Sequence, residues 1–313
     1  MSERNRRLDP MPGGLSTRGA AVSARPGTAR AARAARAPEA TAATAAAAAA
    51  AFPGVVDERG DFVQSLARGL AVIRAFDAAN PALTLSDAAR RAGVSRAAAR
   101  RLLLTLVELG YAEFDARRFR LRPKVLELGF SYLHGTGLWG AAQPVMVELV
   151  ERLHESCSAA VLDGADIVYV ARVPTRTRIM SITLGLGSRL PAHLTSMGRV
   201  LLAALPDAEL DARLAALGTI ESRTERTLTD VAALRRAIAK VRTQGFALLD
   251  QELEPGVRSV AVPVHGPGGA VIAALNVGTH ASRVTMDDLK GRVLPALKET
   301  AEAVSRAMGG TAG

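Results

Sequence analysis

A single cysteine, Cys157, stands in 313 residues, so no internal disulfide can form and a reducing compartment is expected. No apolar run approaches the roughly 18 residues that a membrane span needs. The longest candidate, 45–52, is short and almost all alanine. No compact apolar core followed by a cleavage pattern marks a secretory signal, and a bacterial cytoplasmic setting is expected. The histidines, His134, His154, His193, His265 and His280, lack the spacing of a zinc site. The stretch 185–188 lacks the lysine that a phosphate-cradling loop requires. Asp250, Glu252 and Glu254 could pair for acid–base work, but Arg258 close by makes a strand-edge ion pair the expected role. No nucleophile–base pair is visible, so an enzyme is not expected, nor is a metal or cofactor.

What is present suits a globular chain with two cores of ordinary size: 49% of residues are hydrophobic and 22% charged. The net charge of +10 is unevenly spread. Lys and Arg against Asp and Glu number 9 to 5 in residues 1–60, 11 to 6 in 61–123, and 20 to 19 in 124–313. Basic charge confined to one small domain and its tail is the footprint of a polyanion binder. Taken alone it also fits an acidic protein partner or a solvated face.

Residues 1–60 are low in complexity and rich in Ala and Arg. Their composition resembles a mitochondrial transit peptide, but a disordered extension on a bacterial protein is the expectation adopted. Order is expected from Asp61, with Leu66, Leu70, Ile73 and Phe76 as one apolar helical face. A second helix is predicted from Ser86, acting as its cap, to Gly93, and a third from Ser95 to Gly110. In the third, Leu102, Leu103, Leu106 and Leu109 form the buried stripe. Strands at 111–114 and 119–122 flank the turn 115–118, with Phe119 and Leu121 on one face and Arg118, Arg120 and Arg122 on the other. Beyond Pro123, helices are predicted at 125–133, 140–156, 196–205, 207–217, 231–244 and 286–308. Strands are predicted at 159–162, 167–172, 179–184, 259–264 and 271–277. Mixed helices and hairpin-linked strands give an α+β fold rather than a doubly wound parallel sheet.

The segment 85–104, LSDAARRAGVSRAAARRLLL, has the physics of two helices crossing at a tight turn. Ala88 and Ala89 are small where the second helix must lie close, Gly93 supplies the turn, and Val94 plugs the angle. With Ala99 and Leu102 facing the core, Arg96, Ala97, Arg100, Arg101 and Thr105 are left outside. There, with Ser86 and Ser95, they can reach bases and phosphates in a major groove. Arg117, Arg118 and Arg120 of the hairpin would lie on the flanking backbone or minor groove. A helical hairpin with merely solvated arginines is the plainer alternative.

These residues, with VLELGFSYL (125–133), ESCSAAVLDGADIVYVARVPT (155–175), GSRLPAHLTSMGRVLLA (187–203) and DQELEPGVRSVAVPV (250–264), closely resemble the IclR family of bacterial regulators. Within it they are most similar to the PcaR/PcaU/PobR-type group, which controls catabolism of protocatechuate, 4-hydroxybenzoate and β-ketoadipate. The resemblance spans 62–308. It implies a winged helix-turn-helix at 61–123, a linker and dimerisation helix at 124–137, and a GAF-like effector-binding domain at 138–310. It implies a homodimer, or a dimer of dimers, on double-stranded operator DNA, and a small organic acid as effector: protocatechuate, 4-hydroxybenzoate or β-ketoadipate. By resemblance the pocket is built from Gly187, Ser188, Thr195, Met197, Leu249, Ser259, Asn276 and Gly278. The wing turn lacks the glycine often found there, Asn276 and Gly278 stand where many relatives carry serines, and Ser259 where some carry cysteine.

On residue chemistry alone, Ser188, Thr195, Ser196, Ser259 and Asn276 offer neutral donors to a carboxylate, while Arg189 and Arg199 offer charge. Two rivals remain: an enzyme with an accessory DNA-binding head, and a module whose second domain grips a protein without ligand.

Overall fold

The computed structural model describes residues 62–175 and 184–310. The Ala/Arg-rich segment 1–60 lies outside them, as does the strand expected at 179–184 except for Leu184.

The first body begins with α1 (Gln64–Arg74), β1 (Ala82–Leu83), α2 (Leu85–Ala92) and α3 (Arg96–Glu108). A hairpin follows, β2 (Ala112–Phe114) and β3 (Phe119–Leu121), with β3 in the middle of a three-stranded antiparallel sheet, β1-β3-β2. Val72, Ala75, Leu83, Ala88, Leu103, Leu106, Ala112 and Phe119 form its core. Two expectations fail here. Leu66 and Leu70 are exposed, and α1 buries Val72 instead. Leu109 is also exposed, because α3 ends at Glu108 and the chain turns away at Gly110, where φ is +79°. The apolar spacing in α1 is real, but its outer part is left exposed among the described residues.

A 3₁₀ turn (Pro123–Val125) leads into α4 (Leu126–Thr136), and Gly137, left-handed at φ +66°, separates it from α5 (Leu138–Leu153). The helix therefore runs through Gly135 and breaks only at Gly137.

The second body is a six-stranded, wholly antiparallel sheet in the order β6-β5-β4-β9-β8-β7. Its strands are β4 (Ser156–Asp163), β5 (Asp166–Val173), β6 (Arg189–Pro191), β7 (Ala247–Asp250), β8 (Val257–His265) and β9 (Val271–His280). One face packs on α5 and on the C-terminal helix, which comprises α9 (Met286–Asp288), a π turn (Leu289–Val293) and α10 (Leu294–Ala307). The other face packs on α6 (Ser196–Ala203), α7 (Asp207–Ala215) and α8 (Val231–Gln244). Alternation along each strand feeds both cores: Cys157, Val260, Leu275 and Val277 point one way, Ala160, Tyr169, Ala261 and Ala274 the other. Two short strands, β6 and β7, were not marked by periodicity because three or four residues are too few to show it. The architecture is α+β, and no helix among the described residues is long and apolar enough to cross a membrane.

Candidate nucleic-acid interface and effector site

The helix pair α2–α3 is set by capping at both ends of the turn. Thr84, not Ser86, caps α2: its hydroxyl accepts from the Asp87 N–H and donates to the Asp87 carboxylate. Thr84 is the better-placed acceptor because it keeps an extended backbone, whereas Ser86 already sits inside the helix and is exposed. Gly93 adopts φ +65°, ψ +30°, the left-handed exit that reverses the chain within three residues. Val94 donates to the Ala89 carbonyl, and Ser95 caps α3 by accepting from Ala98 N–H at 3.2 Å. Ala88 and Ala99 have no exposed surface, so the two helices meet through methyl groups.

The opposite face of α3 presents Arg96, Ala97, Arg100, Arg101, Leu104 and Thr105 to solvent. Among the described residues no hydrogen bond or ion pair engages the guanidinium groups of Arg96, Arg100 or Arg101. The neighbouring arginines differ. Arg90 pairs with Asp87, while Arg91 bonds the Ala75 carbonyl at 2.7 Å and the Asp77 carboxylate, tying α2 to the end of α1. Of the expected contacts, Thr105 is spent on its own helix, donating to Arg101 O at 2.9 Å. Arg120 pairs with Asp115 at 2.6 Å. On the wing, Arg117 and Arg118 remain exposed and unpaired among the described side chains.

The second site is legible in the sheet register. Leu249, Ser259, Gly278 and Ser156 are successive cross-strand partners over β7, β8, β9 and β4. The next row runs Ala247, Ala261, Asn276, Ser158 and Arg172, reaching β5. Cross-strand partners point to the same face, and here that face is the one covered by α6. The result is a patch of small and polar side chains, Ser156, Ser158, Ser259, Asn276 and Gly278, set into an otherwise apolar core. Arg172 donates from Nη1 to Ser158 Oγ at 3.0 Å. At the start of α6, Ser196 is 1% exposed, and its hydroxyl has no hydrogen-bond partner among the described residues. His193 Nδ1 is likewise buried without a partner among the described residues. Buried polar atoms left unpaired are costly, so such atoms mark places where another molecule can supply the missing bond.

Several expected donors are already committed. Thr195 caps α6, accepting from Gly198 N–H at 3.0 Å and donating to Ala192 O at 3.3 Å. Ser188 accepts from Gly185 N–H at 2.9 Å, closing the turn that contains Gly187 at φ +77°. Met197 and Leu249 are buried apolar wall. Arg199 is buried against Glu252, with Nη1 3.0 Å from Oε1, and Arg189 is exposed and paired with Asp163 and Asp166. Neither therefore has charge to spare, and among the described residues Arg172 is the cation on the patch. Asp250 and Arg258 do form the strand-edge pair, at 2.5 Å.

Ser156, Ser158 and Arg172 were missed because β4 was expected to start at 159. The signal was present: Ser156 and Ser158 alternate with Cys157 and Ala159, the period of a strand with one polar stripe. Burial pushes the Tyr169 phenol and the Cys157 thiol each up to about 12, against the pull of Arg172, so both are neutral. A cleft of about 400 Å³ lies elsewhere, lined by Val200, Val241, His265 and Lys298; its Arg242 and Ser305 are occupied by internal bonds.

Comparison with known proteins bears on both parts of the chain. Residues 65–116 match the model of the IclR helix-turn-helix domain, and residues 130–306 that of the bacterial transcriptional regulator IclR C-terminal domain. The Pca regulon regulatory protein of Pseudomonas putida is 49% identical over 237 residues, 76% of this chain and 81% of that one. A solved transcriptional regulator from a Rhodococcus species superposes with a TM-score of 0.73 at 53% identity, covering 79% of this chain and 99% of that one. An IclR homolog from Microbacterium hydrocarbonoxydans, solved in complex with 4-hydroxybenzoate, gives 0.69 at 27% identity and covers 78% and 99%.

Proposed function

Because the chain belongs to the IclR family of bacterial transcriptional regulators, we propose that it binds a palindromic operator as a homodimer and answers to an aromatic acid of the protocatechuate or 4-hydroxybenzoate type. The genes it controls on this reading serve catabolism of such acids in the bacterial cytoplasm. We divide it into a reader at 61–123, a linker at 124–137 and a sensor at 138–310.

The observation that carries the sensor reading is the row Asn276–Ser158–Arg172. A benzoate has one anionic end and a flat apolar ring. Arg172, held by Ser158, offers a planar pair of donors to the carboxylate. Asn276 and Ser259, whose side chains make no hydrogen bond among the described residues, offer neutral partners to ring substituents, and Met197 and Leu249 offer walls to the ring. The relatives named for the Pca regulon and the 4-hydroxybenzoate complex support the same class of ligand.

The dimer reading rests on α4. None of its residues is buried, and Leu126, Leu128, Phe130 and Tyr132 are each 44–57% exposed. So much apolar surface on one helix of 11 residues calls for a partner, and a second copy of the same helix is self-complementary.

The direct test is a thermal-shift titration of the full chain with protocatechuate, 4-hydroxybenzoate and β-ketoadipate. A ligand that binds only the folded state stabilises it by about 2.7 kcal/mol at a hundredfold excess over Kd. Stabilisation by at least one acid is expected. Stabilisation by none would favour a protein partner for the second domain, and turnover of any would restore the enzyme reading.

A further inference from the structure

The wing tip, 115–118, contains no glycine, yet its backbone enters the left-handed region at Ala116, where φ is +57°. Residues other than Gly, Asn and Asp rarely adopt that conformation, so something must hold it. Asp115 holds it from three directions. Its N–H donates to Arg118 O at 3.1 Å, its Oδ1 accepts from Arg118 N–H at 3.2 Å, and its Oδ2 accepts from Arg120 Nη1 at 2.6 Å. The carboxylate thus closes the loop onto itself and onto β3, while Arg117 and Arg118 project from it with no side-chain partner among the described residues.

We propose that Asp115 is a positioning residue for DNA: it fixes the wing so that Arg117 and Arg118 meet the phosphate backbone beside the recognition helix. The inference rests on the DNA-binding reading and deepens it. Its interest lies in sign. Asp115 is itself an anion in a surface that faces a polyanion, so charge alone says that removing it tightens binding. Fixing two arginines on a loop that would otherwise sample many conformations says the reverse, since each arginine loses less freedom on contact when the loop is already set. The backbone N–H of Arg118 is the first cause holding the Asp115 carboxyl below its ordinary range, partly offset by desolvation, with Arg120 adding to the effect. The group is therefore charged wherever the protein binds DNA.

The test uses the full chain and a fluorescent duplex enriched by that chain from a randomised pool, titrated by anisotropy at two salt concentrations. Asp115→Ala is expected to weaken binding about fivefold, the size of a lost capping contact, despite removing a negative charge. Asp115→Asn keeps the acceptor for the Arg118 N–H and is expected to lose less. In an Arg117→Ala/Arg118→Ala background, Asp115→Ala is expected to leave affinity unchanged or raise it, because nothing remains to be positioned. Tighter or unchanged binding of Asp115→Ala in the otherwise native chain would overturn the proposal, as would an equal loss in the arginine-free background. The site is exposed, and a retained cooperative melting transition checks that the variants are folded. A native chain that enriches no duplex would sink the DNA-binding reading instead.

Discussion

Ser158 accepts a hydrogen bond from the Arg172 guanidinium at 3.0 Å, across the β4–β5 pair and on the sheet face that α6 covers. A cation held by a neutral hydroxyl keeps its charge available, unlike Arg199, which is neutralised by Glu252. On the proposed reading, that contrast separates an arginine free to meet a ligand from one spent on the fold.

Arg172→Gln should therefore weaken binding of an aromatic acid by about tenfold or more, because a charge-assisted bond is worth about 1.5–3 kcal/mol. Ser158→Ala should cost less, since it loosens Arg172 without removing it. Calorimetric titration checks both, and acid affinity unaffected by Arg172→Gln would remove Arg172 from the site.

Arg199→Met should act on stability. The Arg199 side chain is 5% exposed and that of Glu252 13%, so deleting one partner strands a buried charge. A loss of about 3–5 kcal/mol is expected, read from denaturant unfolding. The same substitution on a surface pair such as Arg236–Asp230 should cost under about 1 kcal/mol.

Acid should destabilise the second domain through His193. Burial, then Arg199 and Arg223, hold its imidazole below the ordinary value of 6.5. The unfolded chain then binds the proton more readily than the folded one. The contribution is present above about pH 6.5 and is lost as pH falls toward the lowered folded value. The native chain should lose more thermal stability than His193→Gln between about pH 7.5 and about pH 5.5. Parallel losses would show that the imidazole does not titrate there.

Phe130→Glu and Tyr132→Glu place charges at two exposed positions of α4. Sedimentation should show a shift from dimer toward monomer, with weaker operator binding and unchanged acid binding. An unaltered mass distribution would move the interface off this helix.

The helix-turn-helix was legible because its signals are local: Gly93 in a left-handed turn, Ser95 as a cap, alanines where backbones approach. The misplaced cap at Ser86 was a shift of two residues within one polar cluster, and Leu66 and Leu70 misled because spacing records an apolar face without saying what covers it. The proposed sensing patch was harder to see. It is assembled from β4, β5, β8 and β9 by register, and no window of sequence contains Asn276 beside Ser158 beside Arg172. A strand start placed three residues late hid the serines that were the clue. The residues supplied by resemblance include Ser259, Asn276 and Gly278 on that face, but also Thr195 and Ser188, which the fold uses for capping and turn closure.

The central claim is that the outer face of α3 reads a duplex, and operator titration of Arg100→Ala addresses it most directly. An arginine reaching a base edge is worth about 1–3 kcal/mol, so affinity should fall roughly 10- to 100-fold at moderate salt while aromatic-acid binding is unchanged. Operator affinity that survives this substitution would contradict the assignment of α3 as the recognition helix.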